Sequence, residues 1–268
     1  MYRDIIKDFF VGIFFSLRFD LFAKILYANE RLQKLILKII KYNIILHFGP
    51  YVIFCLLGWL FDISLMIILD IFAYPINIFS VFFHLLHYMD LMNMVNKYSS
   101  KTANSGDQTM NQLSLTITIS IYQLVIFLTT TIINLIFYDR IYFLAIILNL
   151  LILSIYHSFY CFNNLWQYKK IKMFYRIDMH EKLWPYYIGY GTIVAILYMY
   201  IGNSIVLGIY NLYMILIISL PFLSDPIYPH KNISYPSINL TIFSYLIGHI
   251  FSLSKKIFQS DSSEPQLK

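Results

Sequence analysis

Two histidines and a carboxylate, His84, His87 and Asp90, stand at i, i+3 and i+6. On a helix they share one face, and His/His/Asp is an acceptable ligand set for a metal ion. No second histidine pair or fourth ligand follows. Interfacial histidines near a helix end would give the same spacing. Asp62 and Asp70, eight residues apart in an apolar run, also share a helix face. A carboxylate at bilayer depth costs about 2.5 to 3.5 kcal/mol, so each needs water or a cation beside it. Lining an aqueous path would meet that need, and so would pairing with an N-terminal lysine near an interface. Gly202, Asn203 and Ser204 interrupt the longest uncharged tract, where backbone and side-chain donors at a helix N-terminus would suit an anion. No arginine or lysine joins them at that depth. Cys55 and Cys161 lie in apolar stretches and read as small buried hydrophobes rather than as a disulfide or metal pair. No nucleophile–base set and no phosphate loop accompanies these residues. An enzyme, a cofactor and a bound metal are not expected.

Composition says what must position them. Of 268 residues, 59% are hydrophobic and only 13% charged, with a mean hydropathy of +0.65. A soluble domain carries about 25% charged residues. The expected fold class is therefore all-α, a polytopic membrane bundle of helices. The net charge is +6. In a soluble protein such a balance would suggest nucleic acid; here basic loops beside membrane spans explain it, and no nucleic-acid partner is expected. Asp4, Asp8, Arg18 and Asp20 break what would have to be a clean apolar signal region, so no cleavable signal peptide is expected.

Three regions follow. Residues 1–42 read as basic amphipathic helices. In the first, Ile5, Ile6, Phe9, Phe10, Ile13 and Leu17 recur at helical spacing, opposite Arg3, Asp4, Lys7 and Asp8. Further on, Arg31, Lys34, Lys38 and Lys41 form a cationic stripe opposite Leu32, Leu35, Ile36, Ile39 and Ile40. The pattern fits a helix lying on an anionic leaflet, and equally a solvated face packed on the bundle. Residues 43–254 form the membrane domain, and 255–268 a disordered polar tail. Within the domain, the runs 113–138 and 141–162 meet at Asp139-Arg140, so they must be antiparallel neighbours. Lys169, Lys170, Lys172, Arg176 and Lys182 make the densest basic loop, placed in the cytosol. Trp166, Tyr168, Phe174, Tyr175 and Trp184 are expected at headgroup level. The sequons at Asn232 and Asn239 would then be cytosolic and silent.

From Lys182 to Asp225 no charged side chain occurs. The tract is about twice one membrane crossing and is broken at Gly202-Asn203-Ser204. A hairpin of two full spans and a V-shaped pair of half-spanning helices both fit. Its opening, Trp184-Pro185-Tyr186-Tyr187-Ile188-Gly189-Tyr190-Gly191, supplies a helix entry at Pro185 and interfacial aromatics at Trp184, Tyr186 and Tyr187. Gly189 and Gly191 add a notch for a neighbouring helix.

That block, preceded by Tyr156-His157-Ser158-Phe159-Tyr160-Cys161-Phe162 and Trp166, resembles the etoposide-induced 2.4 family of autophagy-linked endoplasmic-reticulum proteins. The match covers about a quarter of the chain and departs at Asn163-Asn164, where the family carries an acidic residue. The resemblance implies a multi-pass endoplasmic-reticulum protein acting in macroautophagy as a non-enzymatic scaffold or lipid-handling component. Its partners would be the bilayer and other membrane or autophagy proteins, with a homo-oligomer compatible. The family is similar, more distantly, to CysZ-type sulfate permeases. That likeness implies half-inserted helical hairpins, one between 141 and 162 and one with its vertex at Gly202-Asn203. It also implies the alternative function of an anion transporter. The expected binding residues are Gly189, Gly191, Gly202, Asn203 and Ser204; the expected interface anchors are Trp166, Trp184, Pro185 and Tyr187.

Overall fold

A computed structural model describes residues 1–61, 87, 90–95, 128–138, 140–169, 171, 173–200, 204–223 and 236. Among them every regular element is helical. The helices are α1 (Tyr2–Ser16), α2 (Phe19–Ala28), α3 (Glu30–Asn43), α4 (Gly49–Phe61), α5 (Leu128–Phe137), α6 (Tyr142–Tyr168), α7 (Met173–Lys182), α8 (Trp184–Met199) and α9 (Ser204–Leu223). A π-helical turn, Ile44–Phe48, joins α3 to α4 without a break. Asp62, Asp70, His84, Gly202, Asn203, both sequons and the tail lie outside the described residues.

Local chemistry sets several of the helix ends. The Asn29 side chain accepts from the Leu32 amide at 3.1 Å, capping α3, and Lys34 pairs with Glu30 one turn on. Pro185 sits in the first turn of α8, where its missing N–H is not needed. In α6 neither glycine nor proline occurs over 27 residues, and the helix runs uninterrupted for about 40 Å. This corrects the half-inserted pair expected between 141 and 162, because nothing in that stretch breaks an i→i−4 ladder.

α8 is the central helix. α1 packs along one side of it and α6 along another, both antiparallel. Phe15 meets Tyr186 and Tyr190, while Phe9 lies over Gly189. On the other side Trp166 meets Tyr187, Ser154 lies over Gly191, and Leu153 and Tyr156 pack on Ala195. Tyr198 and Met199, at the end of α8, pack on the Leu153–Tyr156–Ala195 cluster, as do Leu150 and Ile152 of α6. α9 turns back along α8. α3 follows α9, with Phe48 seated on Gly208 and Leu32, Ile36 and Ile39 in one core with Ile217, Ile218 and Phe222. Residues 1–42 thus share the core of the domain. α5 and α6 pair as expected: Asn149 donates to Asn134 at 2.6 Å, and Tyr138 meets Tyr142 edge-on.

α3 presents its faces as expected, with Leu32, Ile36 and Ile39 inward and Arg31, Lys34, Lys38 and Lys41 exposed. α1 departs from the expectation in part: Arg3 and Lys7 are exposed and Ile5, Phe9 and Ile13 partly buried, but Asp8 is buried. Its buried stripe is Asp8, Gly12 and Ser16. Its apolar residues Tyr2, Ile6, Phe10 and Phe14 are 76%, 57%, 50% and 67% exposed. Backbone contact with α8 selects the smallest side chains for the interface, whatever their polarity.

Two helices among the described residues are long and apolar enough to cross a membrane, Tyr142–Asn163 and Ile205–Leu223.

Candidate functional site

The block Trp184 to Gly191 lies at the centre of the packing. A methyl group on Gly189 would collide with the Phe9 carbonyl, and one on Gly12 would stand 2.8 Å from the Tyr190 nitrogen. Gly12 and Gly189 therefore bring the backbones of α1 and α8 into contact from both sides. Gly191 does the same toward α6, where a methyl would overlap the Ser154 carbonyl. Neither expected glycine faces a cavity; each is a point of helix contact.

The aromatic residues around them close over a histidine. The His180 ring of α7 stacks on Tyr187 at 4.3 Å and 17°, and Phe159 and Trp166 stand edge-on to it. Trp166 and Tyr187 are 1% and 0% exposed. Both were expected at the headgroup level; both rings are instead packed inside the protein, because His180 and Phe162 cover them. Trp184 stays half-buried and donates through Nε1 to the Pro236 carbonyl at 3.1 Å. Pro185 is buried in the first turn. Ser204 opens α9.

His180 Nε2 lies 2.9 Å from Ser158 Oγ. A serine and a histidine at that distance are the spacing of a nucleophile and its base. The direction of the bonds argues against that role. Ser158 donates its own proton to the Ile155 carbonyl at 2.9 Å, so Nε2 must be the donor to Ser158. Nδ1 is then a lone pair, and it is buried with no hydrogen-bond partner. No third group orients the ring as a catalytic base would require. Burial holds the His180 pKa down at about 3, which keeps the ring neutral. The pair fastens α7 to α6.

A second fastener lies beside it. Arg176 donates through Nε to the Ile171 carbonyl at 2.7 Å and through Nη1 to Asn163 Oδ1 at 2.8 Å. Burial lowers the guanidinium to about 10, and it still carries its charge at neutral pH. Asn163, where the resembled family has an acid, is thus an acceptor for this arginine.

Deeper in the bundle, polar side chains bond to backbone and to one another. His157 Nδ1 donates to the Leu153 carbonyl at 2.8 Å, and its Nε2 faces the Tyr210 hydroxyl at 3.3 Å. The Tyr190 hydroxyl donates to the Ile217 carbonyl, and that of Tyr213 to the Ser16 carbonyl at 2.9 Å. α1, α6, α8 and α9 are joined by these bonds.

Of the residues His84, His87 and Asp90, the last two are described. His87 is buried with its ring 6.1 Å from Tyr42, whereas Asp90 is exposed. Among the described residues no group of three metal-ligating side chains occurs. Sequence reasoning passed over Gly12, Ser158 and His180. The period-four run Asp8, Gly12, Ser16 was the available signal for the first; a lone histidine in a basic loop carried none for the last.

The chain is 39% identical over 259 residues to "Uncharacterized protein L211" of Acanthamoeba polyphaga mimivirus, covering 97% of this chain and 98% of that one. No family model matches the chain, and no solved structure matches it.

Proposed function

Given that the chain belongs to one family with this mimivirus protein, we propose that it is a multi-pass endoplasmic-reticulum membrane protein. In this reading it acts in macroautophagy as a non-enzymatic scaffold or lipid-handling component. The supporting observation is where exposed side chains change character along one continuous helix. Before the π-turn, α3 exposes Arg31, Lys34, Lys38 and Lys41; after it, α4 exposes Val52, Ile53, Leu56 and Trp59. Each cation at membrane depth would cost about 2.5 to 3.5 kcal/mol, so four of them rule out hydrocarbon around α3. The lipid boundary then falls near Phe48.

Phe48 packs on Gly208, which carries the boundary over to α9. The later half of α9 lies beside α3 and is covered by protein, with Ile217, Ile218 and Leu220 fully buried. Only its first turns remain for lipid. α6 exposes Tyr142, Phe143 and Ile147 near its start. In this reading the α8–α9 hairpin enters the bilayer only at its turn end, beside a complete crossing by α6. The autophagy and endoplasmic-reticulum parts of the proposal draw on the aromatic–glycine blocks alone.

Two measurements test it. Cys55 is exposed on α4, and Cys161 is buried. In intact vesicles Cys55 should resist a membrane-impermeant maleimide and react with a lipid-soluble one, while Cys161 reacts only after unfolding. Full labelling of Cys55 by the impermeant reagent would refute the membrane placement. For the cellular role, deletion should arrest autophagosome maturation, with the tagged protein at the endoplasmic reticulum. Normal maturation in a clean deletion would remove that role, and sulfate uptake by proteoliposomes above empty vesicles would favour an anion transporter instead.

A further inference from the structure

We infer that α1 is a lipid-facing helix at the membrane boundary, held there by the side that carries Asp8, Gly12, Phe15 and Ser16 and presenting its exposed apolar stripe to an anionic bilayer. The inference rests on the membrane reading above. The two faces of α1 are both organised at a period of four. Asp8, Gly12 and Ser16 are buried, with Gly12 against Tyr186 and Tyr190 of α8 and the Ser16 carbonyl accepting from Tyr213 of α9. Tyr2, Ile6, Phe10 and Phe14 point outward and are at least half exposed. A water-facing helix carries the opposite arrangement. Four large apolar side chains in a row exceed the scattered surface hydrophobes of a soluble protein.

The occupant follows from position and charge. α1 runs antiparallel to α8, so its first turns lie toward the end of α8 that exposes Ile196. The exposed stripe of α1 and the exposed Ile196 of α8 thus lie toward the same end of the bundle. Arg3 and Lys7 are exposed at the margin of the stripe, where their stems cover apolar surface and their charges reach phosphates. With 15 residues, about 22 Å, α1 is too short to cross. It suits a helix standing beside α8 at the bilayer boundary rather than a further crossing.

The test is spin-label accessibility in vesicles of mixed phosphatidylcholine and phosphatidylglycerol. Nitroxides are placed singly through Ile6→Cys, Phe10→Cys and Phe14→Cys, in a Cys55→Ser background. Phe143→Cys on α6 serves as the lipid reference. The expected result at all three α1 sites is an oxygen collision rate several-fold above that of a water-soluble nickel chelate, matching the reference. Nickel collisions dominating on α1 while the reference stays lipid-like would overturn the inference and leave the membrane reading standing. Low collision rates for both reagents, with spin–spin broadening, would assign the stripe to a second copy and also overturn it. If the Phe143→Cys reference itself behaves as water-exposed, the membrane reading fails.

Discussion

Gly189→Leu is expected to cost about 3 kcal/mol or more and to detach α1 from the domain. Overpacking a filled interior costs about 1 to 3 kcal/mol when neighbouring side chains can shift. Here the obstructing atom is the Phe9 carbonyl, which cannot move without displacing α1 as a whole. Gly191→Leu should cost a similar amount through the Ser154 carbonyl, and would open α6 rather than α1. The midpoint of thermal or denaturant unfolding in detergent micelles measures both. A midpoint unchanged within error for Gly189→Leu would show that the α1–α8 contact does not hold the domain together.

A double-mutant cycle adds a sharper criterion. Gly12→Ala and Gly189→Ala push the same two backbones apart, so after one change the second should cost less than it does alone. An interaction of about 0.5 to 3 kcal/mol is typical of residues sharing a contact. Gly12→Ala with Gly191→Ala should add within about 0.5 kcal/mol, because the two act on different partners of α8.

The second large effect is on pH dependence. Burial lowers the His180 pKa to about 3, against roughly 6.5 for a free histidine. The unfolded chain, or an undocked α7, therefore takes up a proton at a pH where the docked ring does not. Docking is fully favoured above about pH 6.5 and weakens by up to about 1.4 kcal/mol for each unit below it, down to about pH 3. At pH 5 the loss is about 2 kcal/mol. Hydrogen exchange across residues 173–182 should accelerate correspondingly as pH falls, after correction for intrinsic exchange.

His180→Phe separates the proton from the packing. Phenylalanine keeps the stack on Tyr187, and Ser158 keeps its bond to the Ile155 carbonyl, while the titration is gone. The variant should lose the acid-induced opening of α7 that the parent shows. An identical pH slope in parent and His180→Phe would contradict a buried neutral histidine as the cause. The same geometry gives the serine and histidine a structural role: Ser158 bonds the Ile155 carbonyl and His180 Nε2, linking α6 to α7.

How much of this was legible in the sequence differs from element to element. The division of the uncharged tract into two helices was legible, since α8 ends at Met199 and α9 opens at Ser204. So was the pairing of α5 with α6, because a two-residue charged connection leaves no other arrangement. The cationic stripe of α3 faces outward as its period implied. The aromatic residues of the motif were misplaced. A tryptophan or tyrosine with one polar atom suits an interface and a core equally well, and only the presence of His180 from a distant loop covers Trp166 and Tyr187.

The sequence by itself determined the helical class, where several helices begin and end, and that Gly189 and Gly191 admit a neighbouring backbone. Those properties belong to residues within a turn or two of one another, and local propensity and sterics decide them. The tertiary structure alone decided which side of α1 is buried, that half of the uncharged tract is covered by α2 and α3, and that α7 folds back to close over Tyr187. Hydrophobic periodicity assigns an inner face only when the outer medium is water. Where lipid is proposed to lie outside, apolar side chains lose nothing by facing outward, and the buried face goes to residues small enough for two backbones to touch.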